Sequence, residues 1–401
     1  MKKNMLFVSP RFLFPTDEGG KIRTSQILAA IHAGGQFNIT LASPAPNNIE
    51  AFRESINSIC THFISWAEPQ KGKFYPITRM RHIFSKTPIP VLTDRSAEGS
   101  AVVAAALSQK PDLVVFDFPH AAIFAPKAID VPCIIFTHNV EAEIFQRHVE
   151  VASNPISKAI WNNQYHKMMR FEKDTLLNFD TIISVSQKDA AHFKSLQFDN
   201  VLTIPTGTDL NFYAYKPPAS KLSLVFTGAM DWSANIDAIN YMIDSIWPKL
   251  IKHQADAKLV VVGRSPPAHL VKKVQKLAYN IEFTGFVDDI RPYVWDASVY
   301  IIPMRVGSGT RIKTFEAMAL GCPIVSTSLG IEGLAITPDQ HYLKADTELD
   351  FTNSIVQLLN DQELRHKISQ NARQLVAEKF SSQIVAEAFE KICLETIAMK
   401  N

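Results

Sequence analysis

The chain has 401 residues, of which 46% are hydrophobic and 20% charged, a composition typical of a folded globular protein too long for one ordinary core. Its 41 basic and 39 acidic residues leave a net charge of +2, which argues against a nucleic-acid partner bound over the whole surface. No stretch approaches the ~18 consecutive apolar residues of a membrane span, so a membrane-spanning class is not expected.

The N-terminus and the cysteines together predict a cytoplasmic protein. After Lys2 and Lys3 the first apolar run is broken by Pro10 and Arg11, which is not the pattern of a signal peptide. The four cysteines show no CxxC or metal-ligand spacing, and we interpret them as buried thiols in a reducing cytosol. We therefore expect a cytoplasmic protein, either free or peripheral on the inner face of the cytoplasmic membrane.

In the first half of the chain, short apolar runs alternate with helical segments. Such alternation predicts a parallel β-sheet covered by helices on both faces. A Gly-rich and Pro-rich loop, residues 10–20, follows the first strand and precedes a helix at 21–33. A long helix is predicted at 155–178. The predicted strands are residues 5–9, 37–42, 63–66, 113–116, 133–137, 181–185 and 201–204.

The composition shifts at residues 205–220 (PTGTDLNFYAYKPPAS), which we interpret as a linker between two domains. A second set of alternations follows it, with helices expected at 236–252 and 267–277 and a last helix at 381–399. The predicted domains are residues 1–210 and 221–380. The predicted strands of the second domain begin with residues 222–227, 258–262 and 281–284.

One stretch of the second domain, residues 299–334, reads as strand, glycine turn, helix and strand. The glycine turn Gly307-Ser308-Gly309 precedes a helix predicted at 310–320, which Gly321 ends. This arrangement places backbone N–H groups and the positive end of a helix dipole under a phosphate group.

Glu316 lies on the apolar face of that helix, in helical register with Ile312, Phe315 and Ala319. A carboxylate among apolar side chains is costly unless something donates a hydrogen bond to it, and a sugar diol is a good candidate. The alternative is an ordinary pair with Lys313 at a solvated edge, three residues earlier.

A second group of polar residues, Thr137 to Glu141 (THNVE), follows an apolar strand at the carboxyl end, where open α/β sheets bind ligands. His138 could hydrogen-bond a sugar hydroxyl near neutral pH, or it could be a structural histidine. Glu141 is interpreted as an acid in the first turn of a helix. In the first loop, Gly19-Gly20 is not a dinucleotide-binding fingerprint, and a plain turn is the alternative to a ligand-binding role.

The pattern GSGTRIKxxEAMAxGxPIVST, together with HNVE, resembles the signature of retaining family 4 glycosyltransferases of the GT-B fold, especially bacterial enzymes of polysaccharide synthesis. The resemblance implies an α/β fold of two Rossmann-like, doubly wound parallel-sheet domains facing a cleft, with the last helix crossing back to the first domain. It implies that Glu316 binds the ribose of a nucleotide-sugar. The family usually has a second Glu eight residues earlier, where this chain has Ser308.

By the same resemblance, the N-terminal domain binds the acceptor, with Gly19 and Gly20 near the transferred sugar, and His138 acts in the transfer. The resemblance assigns the donor to loops of the C-terminal domain. Those donor-binding positions are Gly228, Gly263, Arg264, Phe286, Val287, Ser308, Gly309, Thr310 and Glu316.

The leaving diphosphate needs positive charge, and no DxD follows a strand as it does in metal-dependent sugar transferases. We therefore expect no metal and no cofactor, with Arg311 and Lys313 stabilising the diphosphate. Two cations in the first turn of a helix are unfavourable unless an anion is present, which is the reason for this assignment.

Residues 71–86 (KGKFYPITRMRHIFSK) contain five Lys or Arg and no acid, interleaved with apolar residues. Such a segment can lie on an anionic membrane surface, and it can equally be an ordinary helix with a basic solvated face.

The leading hypothesis is an enzyme of the hexosyltransferase type that moves a sugar from a nucleotide-sugar to a glycan or lipid-linked acceptor with retention of configuration. One alternative is a nucleotide-sugar epimerase, which shares the GT-B fold, because a fold alone does not decide a function. The other is a non-catalytic nucleotide-sugar-binding protein, for which Ser308 is the hint.

Overall fold

The computed structural model of the chain describes residues 2–16, 18–68, 82–152, 154–306 and 312–400. The chain divides into two compact units. The N-terminal unit comprises Met1–Gly207 and Val385–Asn401, and the C-terminal unit comprises Thr208–Ile384.

The described part of the N-terminal unit contains a parallel sheet of seven strands in the spatial order β3-β2-β1-β4-β5-β6-β7. Chain order reverses between β1 and β4, where Met5 lies opposite Leu113. The central strands are buried along their length, as β4 is from Leu113 to Asp117, because helices cover both faces. The strands are β1 Lys3–Val8, β2 Phe37–Ala45, β3 His62–Ala67, β4 Leu113–Asp117, β5 Cys133–Phe136, β6 Thr181–Ser184 and β7 Val201–Thr203.

Helices of the N-terminal unit begin where the sequence supplies capping side chains. Asn154 accepts a hydrogen bond from Ser157 N, and Pro155 occupies the first turn of the long predicted helix. The described α-helices are α1 Gly19–Gly34, α2 Arg53–Asn57, α3 Ile89–Asp94, α4 Ala97–Ser108, α5 Glu141–Val151, α6 Pro155–Leu176 and α7 Gln187–Ser195, with 3-10 turns at Ile49–Phe52, His82–Phe84 and Pro119–Phe124.

The described part of the C-terminal unit contains a parallel sheet of six strands in the order β10-β9-β8-β11-β12-β13. Its chain order reverses between β8 and β11, where Leu224 lies opposite Val299. The strands are β8 Ser223–Thr227, β9 Lys258–Val262, β10 Ile281–Gly285, β11 Val299–Ile302, β12 Ile324–Ser326 and β13 Leu343–Lys344. The helices are α8 Ser233–Tyr241, α9 Trp247–Leu250, α10 Ala268–Lys276, α11 Arg291–Trp295, α12 Ile312–Leu320, α13 Glu348–Asn360 and α14 Gln362–Lys379, with a 3-10 turn at Leu329–Ile331. The last helix, α15 Ser382–Lys400, belongs to the N-terminal unit from Val385 onward.

The predicted fold class is confirmed, since both units are parallel α/β sheets with a point of order reversal. One helix differs from its prediction. The segment expected as a single α-helix at 236–252 contains a π-helix, Met242–Ile246, between α8 and α9. Pro248 is the physical reason, because it has no N–H to donate and its ring obstructs the carbonyl four residues before it.

The predicted linker, 205–220, falls mostly within the C-terminal unit. Thr208 N donates to Phe380 O at 2.8 Å, and Ser382 N donates to Thr208 O at 2.9 Å. The last helix, α15, packs on the N-terminal unit from Val385 onward. Phe389 of this helix makes an edge-on contact with Phe136, with ring centroids 5.4 Å apart.

In the described ranges, no helix is long and apolar enough to cross a bilayer. The same ranges hold no group of three or more His, Cys, Asp or Glu side chains that could bind a metal ion. The four cysteines are buried free thiols.

Candidate functional site

In the N-terminal unit, polar side chains gather where β1 and β4 end, at the point of strand-order reversal. Asp117, the last residue of β4, is fully buried and accepts hydrogen bonds from Ser9 Oγ at 3.3 Å and from Thr24 Oγ1 at 3.1 Å. Carboxyl ends of strands at such a reversal are the usual ligand edge of an open α/β sheet. The fold therefore places a buried carboxylate under the expected binding edge.

His138 is buried beside this carboxylate, with hydrogen bonds at both ring nitrogens. Its Nε2 lies 2.7 Å from Asp117 Oδ1, and its Nδ1 lies 2.8 Å from Arg23 Nη1. A guanidinium only donates, so Nδ1 must accept, and Nε2 must carry the proton that it donates to Asp117. His138 is therefore a neutral imidazole in one defined tautomer, and burial accordingly lowers its pKa.

Arg23 supplies the positive charge of this group and is itself buried. Its Nη2 donates to Thr206 Oγ1 at 2.6 Å, and its Nε donates to the same oxygen at 3.0 Å. Burial lowers the pKa of Arg23 to about 10, so the guanidinium remains charged at neutral pH. Arg23, His138 and Asp117 thus form a continuous buried chain from cation to anion, which we call the Arg23–Asp117 network.

Phe118 covers this network in a rare backbone conformation. Its φ is +65°, which is sterically unfavourable for a bulky residue. Its ring stacks on His138, with centroids 3.9 Å apart. A Cβ on Gly20 would lie 2.6 Å from Phe118 Cζ, so any larger residue at that position would require the Phe118 ring to move.

Gly19 and Gly20 were predicted to lie in a loop, and that prediction is wrong. In the structure they form the first turn of α1. Glu18, the N-cap residue of α1, makes no side-chain hydrogen bond to the first-turn N–H groups of this helix. Whether these groups contact the transferred sugar stays a prediction.

A second buried cluster lies near the end of β4, and the sequence alone did not indicate it. His120 Nδ1 lies 3.1 Å from Asp94 Oδ2, and His120 Nε2 lies 3.8 Å from Glu141 Oε2. Glu141 begins α5, as expected of a first-turn acid. Glu172 caps this helix by accepting from Glu141 N at 2.7 Å and from Ala142 N at 2.8 Å.

In the C-terminal unit, glycines let the ends of β8 and β9 approach closely. A Cβ on Gly263 would lie 1.9 Å from Gly228 O, and Gly228 N donates to Val262 O at 2.9 Å. No side chain fits at Gly263, so this pair keeps bare backbone at the carboxyl end of the sheet.

Lys313 lies beneath this backbone. Its Nζ donates to Thr227 O at 3.0 Å and to Asn235 Oδ1 at 3.1 Å, and it lies 4.2 Å from the centre of the Phe226 ring. Helix α12 therefore delivers a cation to the end of β8, at the strand-order reversal of this unit. Its role toward a diphosphate stays a prediction.

Glu316 is half-buried on the same helix, and its Oε1 accepts a hydrogen bond of 2.6 Å from Tyr213 Oη. Burial raises the pKa of the Glu316 carboxyl, while the hydrogen bond from Tyr213 and the nearby charge of Lys313 act in the opposite direction. The sequence predicted a ligand as the partner of this carboxylate. The structure adds a protein partner, Tyr213, which lies in the predicted linker, residues 205–220.

Of the remaining donor-site candidates, Arg264 forms an ion pair of 3.1 Å with Asp231 in an exposed position. Phe286 is 74% exposed, next to the half-buried Val287. These positions fit the edge of a nucleotide site as well as an ordinary surface. Ser308, Gly309, Thr310 and Arg311 lie outside the described residues, as do residues 71–81.

Arg23, Asp117 and Tyr213 were not identified from the sequence. Arg23 lies near the start of a predicted helix, Asp117 ends an apolar strand, and Tyr213 lies in a turn-rich segment. The position of Asp117 at the carboxyl end of a predicted strand was the one available signal.

Comparisons with known proteins find glycosyltransferase profiles over both halves of the chain. The profile described as Glycosyltransferase Family 4 matches residues 58–212, and the one described as Glycosyl transferases group 1 matches residues 221–361. An uncharacterized 44.6 kDa protein in the cps region of Klebsiella pneumoniae is 23% identical over 268 residues, covering 64% of this chain and 67% of that protein. A phosphatidyl-myo-inositol mannosyltransferase of Mycobacterium leprae is 24% identical over 208 residues, covering 50% of this chain. The match spans 54% of the mannosyltransferase.

Solved structures show the same fold. Sucrose-phosphate synthase from Thermosynechococcus elongatus has a TM-score of 0.70 at 17% identity, covering 99% of this chain and 100% of that one. Anabaena HepE in complex with UDP has a TM-score of 0.67 at 14% identity, covering 98% and 99%. Because glycosyltransferase profiles match both halves of the chain and the fold agrees throughout, the chain belongs to the family 4 glycosyltransferases of the GT-B fold.

Proposed function

We propose that the protein transfers a sugar from a nucleoside-diphosphate sugar to a glycan or lipid-linked saccharide, with retention of configuration. The observation that carries the proposal is the constellation on α12, which brings Lys313 to the end of β8 and holds Glu316 half-buried on the same helix. A cation for a diphosphate and a carboxylate for a ribose are the two groups that a nucleotide-sugar requires. Relatives and structural neighbours described as a mannosyltransferase and as complexes with UDP-glucose support this donor class.

In the proposed reaction, the bond from the anomeric carbon to the diphosphate breaks, and negative charge develops on the leaving oxygen. Arg311 and Lys313 would stabilise this charge. His138 would act from the N-terminal unit through its network with Arg23 and Asp117, because both of its ring nitrogens are already hydrogen-bonded and neither is open to a sugar hydroxyl as the sequence had suggested. Because cationic side chains supply the charge, the proposal includes no metal ion and no cofactor.

Transfer should therefore survive a chelator, and it should depend on these side chains. Arg311→Ala is expected to lower turnover by about 100-fold or more, because a group that stabilises transition-state charge is lost. His138→Ala should lower turnover while nucleoside diphosphate still binds. The measurement is release of nucleoside diphosphate from a nucleotide-sugar in the presence of acceptor, with and without EDTA.

The matched control is Arg305→Ala. Arg305 precedes the predicted glycine turn at residues 307–309, which Arg311 follows in sequence, and it forms an ion pair of 2.7 Å with Asp237. Its turnover should stay near that of the parent. Loss of transfer in EDTA, restored by magnesium or manganese, would refute the account of the leaving group. Epimerised donor without acceptor-dependent release would instead support the epimerase alternative.

We also propose that residues 71–86 attach the enzyme to an anionic membrane surface. The basic composition of this segment supports the proposal, as does Phe84, whose side chain is 93% exposed. Each cation near such a surface contributes about 1 kcal/mol. Flotation with anionic vesicles should therefore be strong at low salt and weaken sharply in a variant with four cations neutralised, namely Lys71, Lys73, Arg79 and Arg81.

A control variant with the same change of net charge neutralises four exposed lysines of the C-terminal unit, namely Lys252, Lys272, Lys276 and Lys367. It should float like the parent. Equal flotation of all three proteins, or of none, would contradict the membrane proposal.

A further inference from the structure

The partner of Glu316 is a tyrosine from a distant part of the chain. Tyr213 Oη donates to Glu316 Oε1 at 2.6 Å, across 103 residues of sequence. A carboxylate has two oxygens and about four lone-pair positions, so this one bond leaves capacity for hydroxyl groups of a ligand. The bond does, however, select one orientation of the carboxylate.

The phenol of Tyr213 is a permanent donor. Burial raises its pKa, and the charge of Glu316 raises it further, so the phenol stays protonated at neutral pH. A short bond from a neutral hydroxyl to a carboxylate is stronger than an ordinary neutral hydrogen bond. The interaction therefore favours the ionised form of Glu316, which is the form that accepts from sugar hydroxyls.

The backbone around Tyr213 is held from two sides within the C-terminal unit. Arg373 Nη1 donates to Tyr213 O at 3.3 Å and to Ala319 O at 3.1 Å, which ties the tyrosine to the helix that carries Glu316. Arg291 Nη1 donates to Phe212 O at 2.9 Å, and its guanidinium stacks on the Phe212 ring at 3.9 Å. Two arginines thus fix the segment that presents the phenol.

We propose that Tyr213 is a positioning residue for nucleotide recognition: its phenol holds Glu316 in the orientation that receives the ribose hydroxyls. This inference rests on the proposed function, because it assumes that Glu316 meets a ribose. It extends that function, because selectivity for ribose over deoxyribose then depends on Tyr213, which contacts Glu316 and not the ligand.

The test is isothermal titration of the full-length protein and of Tyr213→Phe. The probes are UDP, GDP and ADP, followed by the 2′-deoxy form of whichever binds most tightly. The phenylalanine keeps the ring and removes only the hydroxyl, so affinity for the ribonucleotide should fall about two- to tenfold. Affinity for the 2′-deoxy form should change less, so the ratio of the two Kd values should move toward one. This ratio does not depend on the fraction of protein that is folded.

Tyr215→Phe is the matched control, since Tyr215 lies in the same segment and its hydroxyl contacts Ser369 Oγ at 3.4 Å. It should leave the ratio of Kd values unchanged. In a Glu316→Gln background, adding Tyr213→Phe should cost little more, because the two residues act through one interaction.

Three results would overturn the inference while leaving the donor assignment in place. These are an unchanged Kd in Tyr213→Phe, an equal loss for the ribonucleotide and its deoxy form, and tighter binding, which would mean that the tyrosine competes with the ribose. If the parent protein binds none of the three nucleotides, the proposed function itself fails.

Discussion

Glu316→Ala is expected to weaken binding of nucleoside diphosphate by roughly 1.5–3 kcal/mol, about 10- to 150-fold in Kd. The carboxylate is half-buried on α12, and its removal leaves the hydroxyl of the half-buried Tyr213 without this acceptor. A ligand hydroxyl would lose a charge-assisted hydrogen bond in the same step. Isothermal titration with UDP, the nucleotide in the HepE complex, measures the change.

The control is Glu363→Ala, an exposed acid in the first turn of α14, which should leave the Kd for UDP unchanged. Equal affinity in the parent and in Glu316→Ala would show that the ribose is bound elsewhere, and it would remove the main support for the donor site. The parent and Glu316→Ala should unfold at similar temperatures, because a half-buried carboxylate on one helix contributes little to the free energy of unfolding.

Asp117→Ala is expected to lower the free energy of unfolding of the N-terminal unit by about 3–5 kcal/mol, since it removes the buried anion at the other end of the network from the buried Arg23 cation. Asp117 is fully buried, and Arg23 is only 4% exposed. Without the carboxylate, His138 Nε2 and the hydroxyl of Thr24 also lose their acceptor. Hydrogen exchange read by mass spectrometry separates the two units, and protection should fall in β1, β4 and β5 while β8 and β11 are unaffected.

Asp112→Ala is the matched control at the other end of β4. Asp112 pairs with Lys3 at 3.3 Å in a partly exposed position, and such surface pairs contribute about 0–1 kcal/mol. If Asp117→Ala and Asp112→Ala lose the same protection, the Arg23–Asp117 network does not stabilise the unit in the way that its burial implies.

The sequence alone was sufficient for the fold class and for the family. Continuous apolar runs separated by helical segments predict parallel sheets, because a strand covered on both faces needs apolar side chains on both. The unit at residues 299–334 is equally local: β11, α12 and β12 follow one another with glycine and proline at the boundaries. The position of Glu316 on an apolar helix face is also a local property, since its spacing from Ile312, Phe315 and Ala319 along one helix defines that face.

What only the tertiary structure decided is which polar groups meet. Tyr213 and Glu316 are 103 residues apart in the chain, and Arg23 and His138 are 115 apart. Helical and strand periodicities report which face of an element is buried, but they carry no information about which element covers that face. The order of strands in the sheet supplies this information. Strands β1 and β4 lie side by side, which puts Ser9 and Asp117 together. Helix α1 and the end of β5 then bring Arg23 and His138 to the same carboxylate. The tautomer of His138 follows from those contacts, because Arg23 can only donate.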